Sequence, residues 1–502
     1  MSRKSIIIIG AGLGGLSTGC YAQMNGYQSQ IFEQHSKPGG LAASWKRKDY
    51  LIDGGIHFVS GHKPGVGLHN VYREIGADKA RFVDMDIYGR FIDKTSGKTV
   101  DITSNLDKLE SNLLALFPRD EGIIKEIISG SRAMTKTDIT EVGFTKPAEL
   151  MGWRDKLGDM WKIKGLMKYF SGKYSKTVKE YVKDVNDPIL GDLLMNLFLP
   201  EVPVWFILMV LGLLGAGQIA LLEDGALAFA KTIEKRYTEL GGKVTYKADV
   251  KEILVSEDRA TGVRLASGSI HQADVVISAA DGYHTIYELL AGKYLNEKIE
   301  KRYRTWKNSY PMVLISYGVA WEFKGEPWMI VTSFDRPISV ANRDVERCIL
   351  RICNYGSNFA PPNKTVVQVE FETEWNYWHE LRKDKQKYDV EKERIATEVL
   401  EQLENIYQGI TAAVEITDVA TPHTYWRYTR NRGGSIMGWD PTPETIFAST
   451  EKNLPGLDNF YIAGQWSMSV GGVQPAIYSG KHVIQLICHE DKKKFRTIPR
   501  IR

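Results

Sequence analysis

Ile6, Ile7, Ile8 and Ile9 form a β-branched run with no polar alternation, the pattern of a strand buried on both faces. Gly10-Ala11-Gly12-Leu13-Gly14-Gly15 follows, and Leu13, Leu16, Cys20 and Met24 then recur at helical spacing until Gly26. Residues 27–32 predict a second strand, closed by Glu33. The alternation returns over 224–281, with a helix at 226–240 and short strands at 243–246, 250–256, 261–265 and 269–270. A buried strand is expected within 273–280. Residues 116–220 read as mostly helical, and 202–222 carry no charge, a length sufficient to span a bilayer but interrupted by Pro203, Gly212, Gly215 and Gly217. A buried or membrane-surface element is therefore expected there. Further strands are predicted at 313–319 and 366–374, a helix at 390–406, a last short strand before Gly464 and a helix around 477–486. In 366–374, Val367, Val369 and Phe371 alternate with Gln368, Glu370, Glu372 and Glu374, which predicts a half-exposed sheet face carrying the carboxylates.

The first strand, glycine turn and helix carry chemistry. Gly10 permits a tight turn, Gly12 lets backbone approach a pyrophosphate, and Gly15 allows close helix–strand packing. The helix N-terminus offers free N–H groups to an anion. Glu33 stands where a carboxylate accepts from a ribose hydroxyl, which favours FAD or NAD over a 2′-phosphorylated dinucleotide. Gly54-Gly55, inside a strand pattern at 50–58, marks a close approach of backbone or ligand.

GAGLGG at 10–15, Glu33, PGGLA at 38–42 and IDGGIH at 52–57 together resemble the FAD-binding N-terminus of the amine oxidase superfamily. Within it they are most similar to the branch of phytoene desaturases, carotenoid isomerases and retinol saturases. TPHTYWRYTRNRGG at 421–434 is similar to a stretch of the phytoene desaturase and carotenoid isomerase members. The resemblance implies FAD held by Gly10, Ala11, Gly12, Leu13, Gly14, Gly15, Glu33 and Gln34. It places Gly40, Leu41 and Ala42 against the phosphates and ribityl chain, and Gly55, Ile56 and His57 near the isoalloxazine. Val250 would pair by its backbone with the adenine, and Ala279, Gly464, Gln465, Gly472 and Val473 would complete the site. Many relatives carry arginine at the position of Leu41 and an acid at that of Gln465. The implied fold is α/β: a Rossmann-type FAD-binding domain with a discontinuous α+β substrate domain containing a mostly helical insertion. The implied activity is desaturation, saturation or cis–trans isomerisation at carbon–carbon double bonds of a polyene or isoprenoid lipid such as a carotenoid or retinoid. A flavin amine oxidase, its aromatic cage drawn from Trp426, Trp439 and Trp466, is one alternative; a non-enzymatic prenyl-binding protein of the same fold is another.

With 502 residues, two discontinuous domains are expected. Residues 1–115, 220–285 and 445–490 would bind FAD, 116–219 and 286–444 would form the substrate domain, and 491–502 a basic tail. A net charge of +4 gives nucleic-acid binding no support. Cys20, Cys348, Cys353 and Cys488 lack zinc-type spacing and suit a reduced, cytoplasmic protein, with no export segment expected. No metal is expected, and no hydrolase elbow or P-loop occurs. Between Lys162 and Lys183 seven lysines face one acid, Glu180, among aromatic residues. That suits either an anionic lipid surface or a solvated amphipathic helix, and a peripheral membrane contact is expected within 150–222. The apolar run 193–222 walls a tunnel or fills a core. Delocalisation along a polyene would make a strong acid or base dispensable, so no single catalytic side chain is expected. The pattern sets no oligomeric state.

Overall fold

A computed structural model describes residues 3–498; the last four residues of the expected basic tail lie outside the described residues. Five parallel strands form the first sheet, in the order Lys243–Thr245, Gln28–Phe32, Ser5–Ile9, Val275–Ser278, Phe460–Ile462. Its two faces explain the isoleucine run. Ile6 and Ile8 pack under the helices Leu13–Met24, Gly225–Glu239 and Val473–Glu490. Ile7 and Ile9 point the other way, against Val250, Ile253 and Val263 of a three-stranded antiparallel sheet. A strand buried on both faces has no polar side to alternate.

The second large sheet has seven strands, in the order Val414–Ala420, Met312–Val319, Thr365–Glu372, Arg343–Ile352, Met329–Val340, Ile87–Ile92, Thr99–Thr103. Only the Met329–Val340 and Ile87–Ile92 pair is parallel. Helix Lys385–Ile406 covers one face through Tyr388, Ile395, Val399 and Leu403. The helices Leu106–Leu116, Glu121–Met134, Pro188–Met195 and Val204–Gly215 build a separate apolar cluster at the other end.

Two sequence expectations change. Ile87–Ile92 and Thr99–Thr103 hydrogen-bond into the seven-stranded sheet, so part of the first cofactor-side segment serves the other half of the molecule. Strand Thr365–Glu372 is not half-exposed: every residue but Glu372 is buried, because neighbouring strands flank it on both edges and the cofactor-side segment 50–57 lies over its polar face. The uncharged stretch 202–222 divides into helix Val204–Gly215 and strand Ile219–Leu222. No helix among the described residues is long and apolar enough to cross a membrane. All four cysteines are buried.

Candidate active site

The first turn is built on close backbone contacts. Gly10 adopts φ +96°, and a Cβ on Gly15 would stand 2.0 Å from the Gly10 carbonyl oxygen, so only glycine lets the helix leave its strand this tightly. A Cβ on Gly14 would lie 2.6 Å from Gly464 Cα, which brings the first turn of the chain against its last. At Gly12 a Cβ would meet nothing, and the helix begins there without a side-chain cap. Its leading N–H groups are thus left for a ligand.

Glu33 is buried at the end of the second strand. Its two oxygens accept from the backbone N–H of Ala11 and of His35, each at 2.7 Å. Burial raises its pKa, and these amides oppose the rise. Gln34 donates to the Tyr428 carbonyl at 2.8 Å. The Gly39 N–H donates to Ala11 O at 2.8 Å, which lays residues 38–42 across the first turn. Gly55 follows, close enough that its Cβ would fall 2.4 Å from Leu41 O. Ala279 donates to Ile9 O, and Gly464 donates to Ser479 Oγ at 2.6 Å. Gly472, at φ +119°, opens helix Val473–Glu490, again without a side-chain cap.

One cavity of about 770 Å³ runs along these segments. Every residue that the resemblance assigns to FAD lines it except Ala11 and Gly15, which stand behind as turn and packing residues. Two uncapped helix N-termini and a buried carboxylate on one cavity fit a dinucleotide with a second functional group, as FAD is. When bound there, FAD supplies hydride transfer at its flavin ring.

Away from the glycines the same cavity turns apolar. Helix Val204–Gly215 divides its residues between two tasks: Trp205, Phe206, Met209 and Leu213 line the cavity, whereas Val204, Ile207, Leu208, Leu211 and Leu214 fill the core behind. The run is therefore both tunnel wall and core. Tyr88, Tyr310, Met312, Trp328 and Tyr425 continue the wall. Phe447 lines it too, is 71% exposed and stacks on Trp205 at 5.4 Å, so the cavity reaches the surface there.

Several polar residues hold places that the sequence did not assign to them. Asn431 ties the last turn to residues 421–434, accepting from Trp466 Nε1 at 2.7 Å and donating to Ser435 O at 2.6 Å. Asp281, fully buried beside the first turn, accepts from the N–H of His284 and of Arg432, and burial pushes its pKa up to about 6. Glu370 is buried against His57 and Arg351. Nothing in an alternating strand pattern distinguishes such a residue from a solvated one. The three tryptophans proposed as a cage do not assemble. Trp439 and Trp466 meet edge to face at 4.9 Å, but Trp439 stays outside the cavity lining, and Trp426 belongs to a cluster with Trp375, His379 and His423.

Comparison with known proteins agrees with this geometry. The lycopene-forming phytoene desaturase of Pseudescherichia vulneris is 25% identical, over 59% of this chain and 59% of its own length. The chloroplastic prolycopene isomerase of Daucus carota is 24% identical, over 94% of this chain and 78% of its own. An oxidoreductase from Methanosarcina mazei shares the fold, with a TM-score of 0.62 at 17% identity, covering 96% of this chain and all of the other. The profile described as flavin containing amine oxidoreductase matches residues 13–488. FAD is accordingly the cofactor and the protein an oxidoreductase; the chain belongs to the family of flavin-containing amine oxidoreductases.

Proposed function

We propose that this flavoenzyme desaturates, saturates or isomerises carbon–carbon double bonds of a hydrophobic polyene or isoprenoid lipid, such as a carotenoid or retinoid. The observation that carries the reading is the continuity of one cavity from a glycine-built dinucleotide cradle into walls of tryptophan, phenylalanine, methionine and leucine. Gly10–Gly15 and Glu33 would hold the adenosine diphosphate portion, with Val250 and Ala279 beside it. Gly40, Leu41, Ala42, Gly464 and Gln465 would hold the ribityl chain, and Gly55, Ile56, His57, Gly472 and Val473 the reactive ring. The chain's own share of the reaction is to keep water away and to align a long apolar molecule beside that ring. The names of the desaturase and isomerase relatives support the substrate class.

The cavity mouth supports delivery from a membrane surface. Trp153, Leu157, Met160, Trp161 and Met167 are exposed large apolar side chains on 153–168, with Lys156, Lys162, Lys164 and Lys168 among them. Met151, Ile163 and Phe170 of the same region line the cavity. Apolar side chains entering the head-group layer, ringed by lysines facing anionic lipid, are the arrangement of a peripheral contact. The protein is read as cytoplasmic and peripherally attached.

Anaerobic incubation of the FAD-loaded protein with phytoene or prolycopene, following flavin absorbance and product mass together, tests the reading. Flavin bleaching with loss of two mass units per double bond marks desaturation. Conversion at constant mass marks isomerisation, and activity only with pre-reduced flavin and a mass gain marks saturation. No change with any polyene, alongside peroxide formed from amines, overturns the reading. For the membrane contact, Trp153→Ser with Trp161→Ser should abolish co-sedimentation with anionic vesicles while leaving flavin content intact.

A further inference from the structure

We infer that His57 is the proton-carrying residue of this site, with Glu370 and Arg351 positioning it from behind; the inference rests on the polyene reading above. His57 lines the cavity beside Gly55 and Ile56, and its side chain is partly accessible. Its Nε2 lies 3.1 Å and 3.2 Å from the two oxygens of Glu370, a carboxylate 2% exposed on strand Thr365–Glu372. Arg351, 1% exposed on the adjacent strand Arg343–Ile352, brings Nη1 to 3.7 Å from Glu370 Oε2, and its guanidinium nitrogens have no hydrogen-bond partner among the described residues. Asp53, the other buried carboxyl facing this group, is engaged by Ser44 Oγ and the Ala226 N–H.

This arrangement selects a tautomer. A buried carboxylate accepts only when a hydrogen points at it, so Nε2 carries the proton and Nδ1 keeps its lone pair. Nδ1 has no protein partner among the described residues. Glu370 is kept ionised: burial pushes its pKa up, but His57 and Arg351 more than offset that and hold it below the usual carboxylate range. The phenols within electrostatic reach of Glu370, Tyr310 and Tyr425, are both raised by burial and stay protonated near neutrality. An imidazole held this way, one ring nitrogen donating to Glu370 and the other bare, can take a proton and return it.

In the oxidative direction one substrate carbon loses its hydrogen with the bonding pair, accepted by the oxidised flavin of the reading above. His57 Nδ1 takes the proton from the adjacent carbon, and the pair left in that C–H bond becomes the second bond of the new double bond. In the reductive direction the imidazolium returns the proton.

The test uses the holoenzyme and two variants. His57→Gln keeps a donor toward Glu370, so it should fold; because His57 also faces the flavin ring, rates are compared per bound FAD after its content and visible spectrum are measured. Its single-turnover rate with phytoene or prolycopene should fall about a hundredfold, and added imidazole should restore part of it. The wild-type rate should rise with pH along a limb that is missing in His57→Gln. In Glu370→Gln the rate should fall as well, and the preference for a proton on Nε2 should weaken, since an amide can donate as well as accept. Nitrogen NMR of histidine-labelled wild type at pH 8, with the His57 signal identified by its absence in His57→Gln, should show Nε2 protonated and Nδ1 bare. Wild-type turnover with an equal rate and pH profile in His57→Gln overturns the inference alone, as does an Nδ1-protonated signal. A wild type that changes no polyene overturns the functional reading and the inference with it.

Discussion

The two ends of the cavity are made of different material. At the cofactor end the determining contacts are backbone on backbone: Gly15 on Gly10, Gly14 on Gly464, Gly55 on Leu41. At the apolar end they are side chain on side chain, Trp205 on Phe170 and Phe447, Phe198 on Phe206. A backbone contact tolerates no added atom, whereas an apolar wall accepts many residues of similar volume. The cradle should therefore be brittle and the wall forgiving.

The sharpest break comes at Gly15. Gly15→Val puts carbon into the Gly10 carbonyl and should cost about 4 kcal/mol or more, leaving little folded, flavin-coloured protein by the ratio of visible to ultraviolet absorbance. Next is Asp281, whose pKa near 6 lies above the unfolded value. The folded chain then holds a proton that the unfolded chain has lost, so this group's contribution is complete below about pH 4 and falls by about 3 kcal/mol as pH rises through 6. Asp281→Asn should remove that slope, so that thermal melts find the variant gaining on wild type between pH 4 and pH 7. Glu33→Gln deletes a charged acceptor and should weaken FAD binding by about 2 kcal/mol, roughly thirtyfold in Kd by titration of the apoprotein. On the wall, Met209→Trp should lower kcat/KM for a polyene about tenfold while flavin content stays at the wild-type level. Leu41→Arg should have the smallest effect, tightening FAD about threefold by adding a cation near the phosphates. Equal flavin loss in Met209→Trp and Gly15→Val would erase the contrast.

The same contrast sets what the sequence revealed. Glycines at a strand end announce themselves, because few other positions require them, and the segments 10–15, 38–42, 54–57 and 464–473 that carried the resemblance lie along one cavity. Trp205 and Leu208 sit in one uncharged helix, and nothing in their order says which faces a ligand and which a core. Glu370 misled for a related reason: period-two alternation gives a strand's two faces but not what covers the polar one, and here the covering group is His57, more than three hundred positions earlier. Residues 87–92 and 99–103 fall inside the expected cofactor segment 1–115 yet pair into the seven-stranded sheet, because strand partners are chosen over long range and not by local pattern.

The seating of Gly14 on Gly464 also governs the order in which this protein is made. During synthesis the first turn emerges early but waits for residues 464–473, and helix Val473–Glu490 must then dock along Leu13–Met24 before a closed nucleotide site exists. A closed nucleotide site thus needs the last helix, and a chain stalled before it leaves the apolar residues that pack under that helix uncovered.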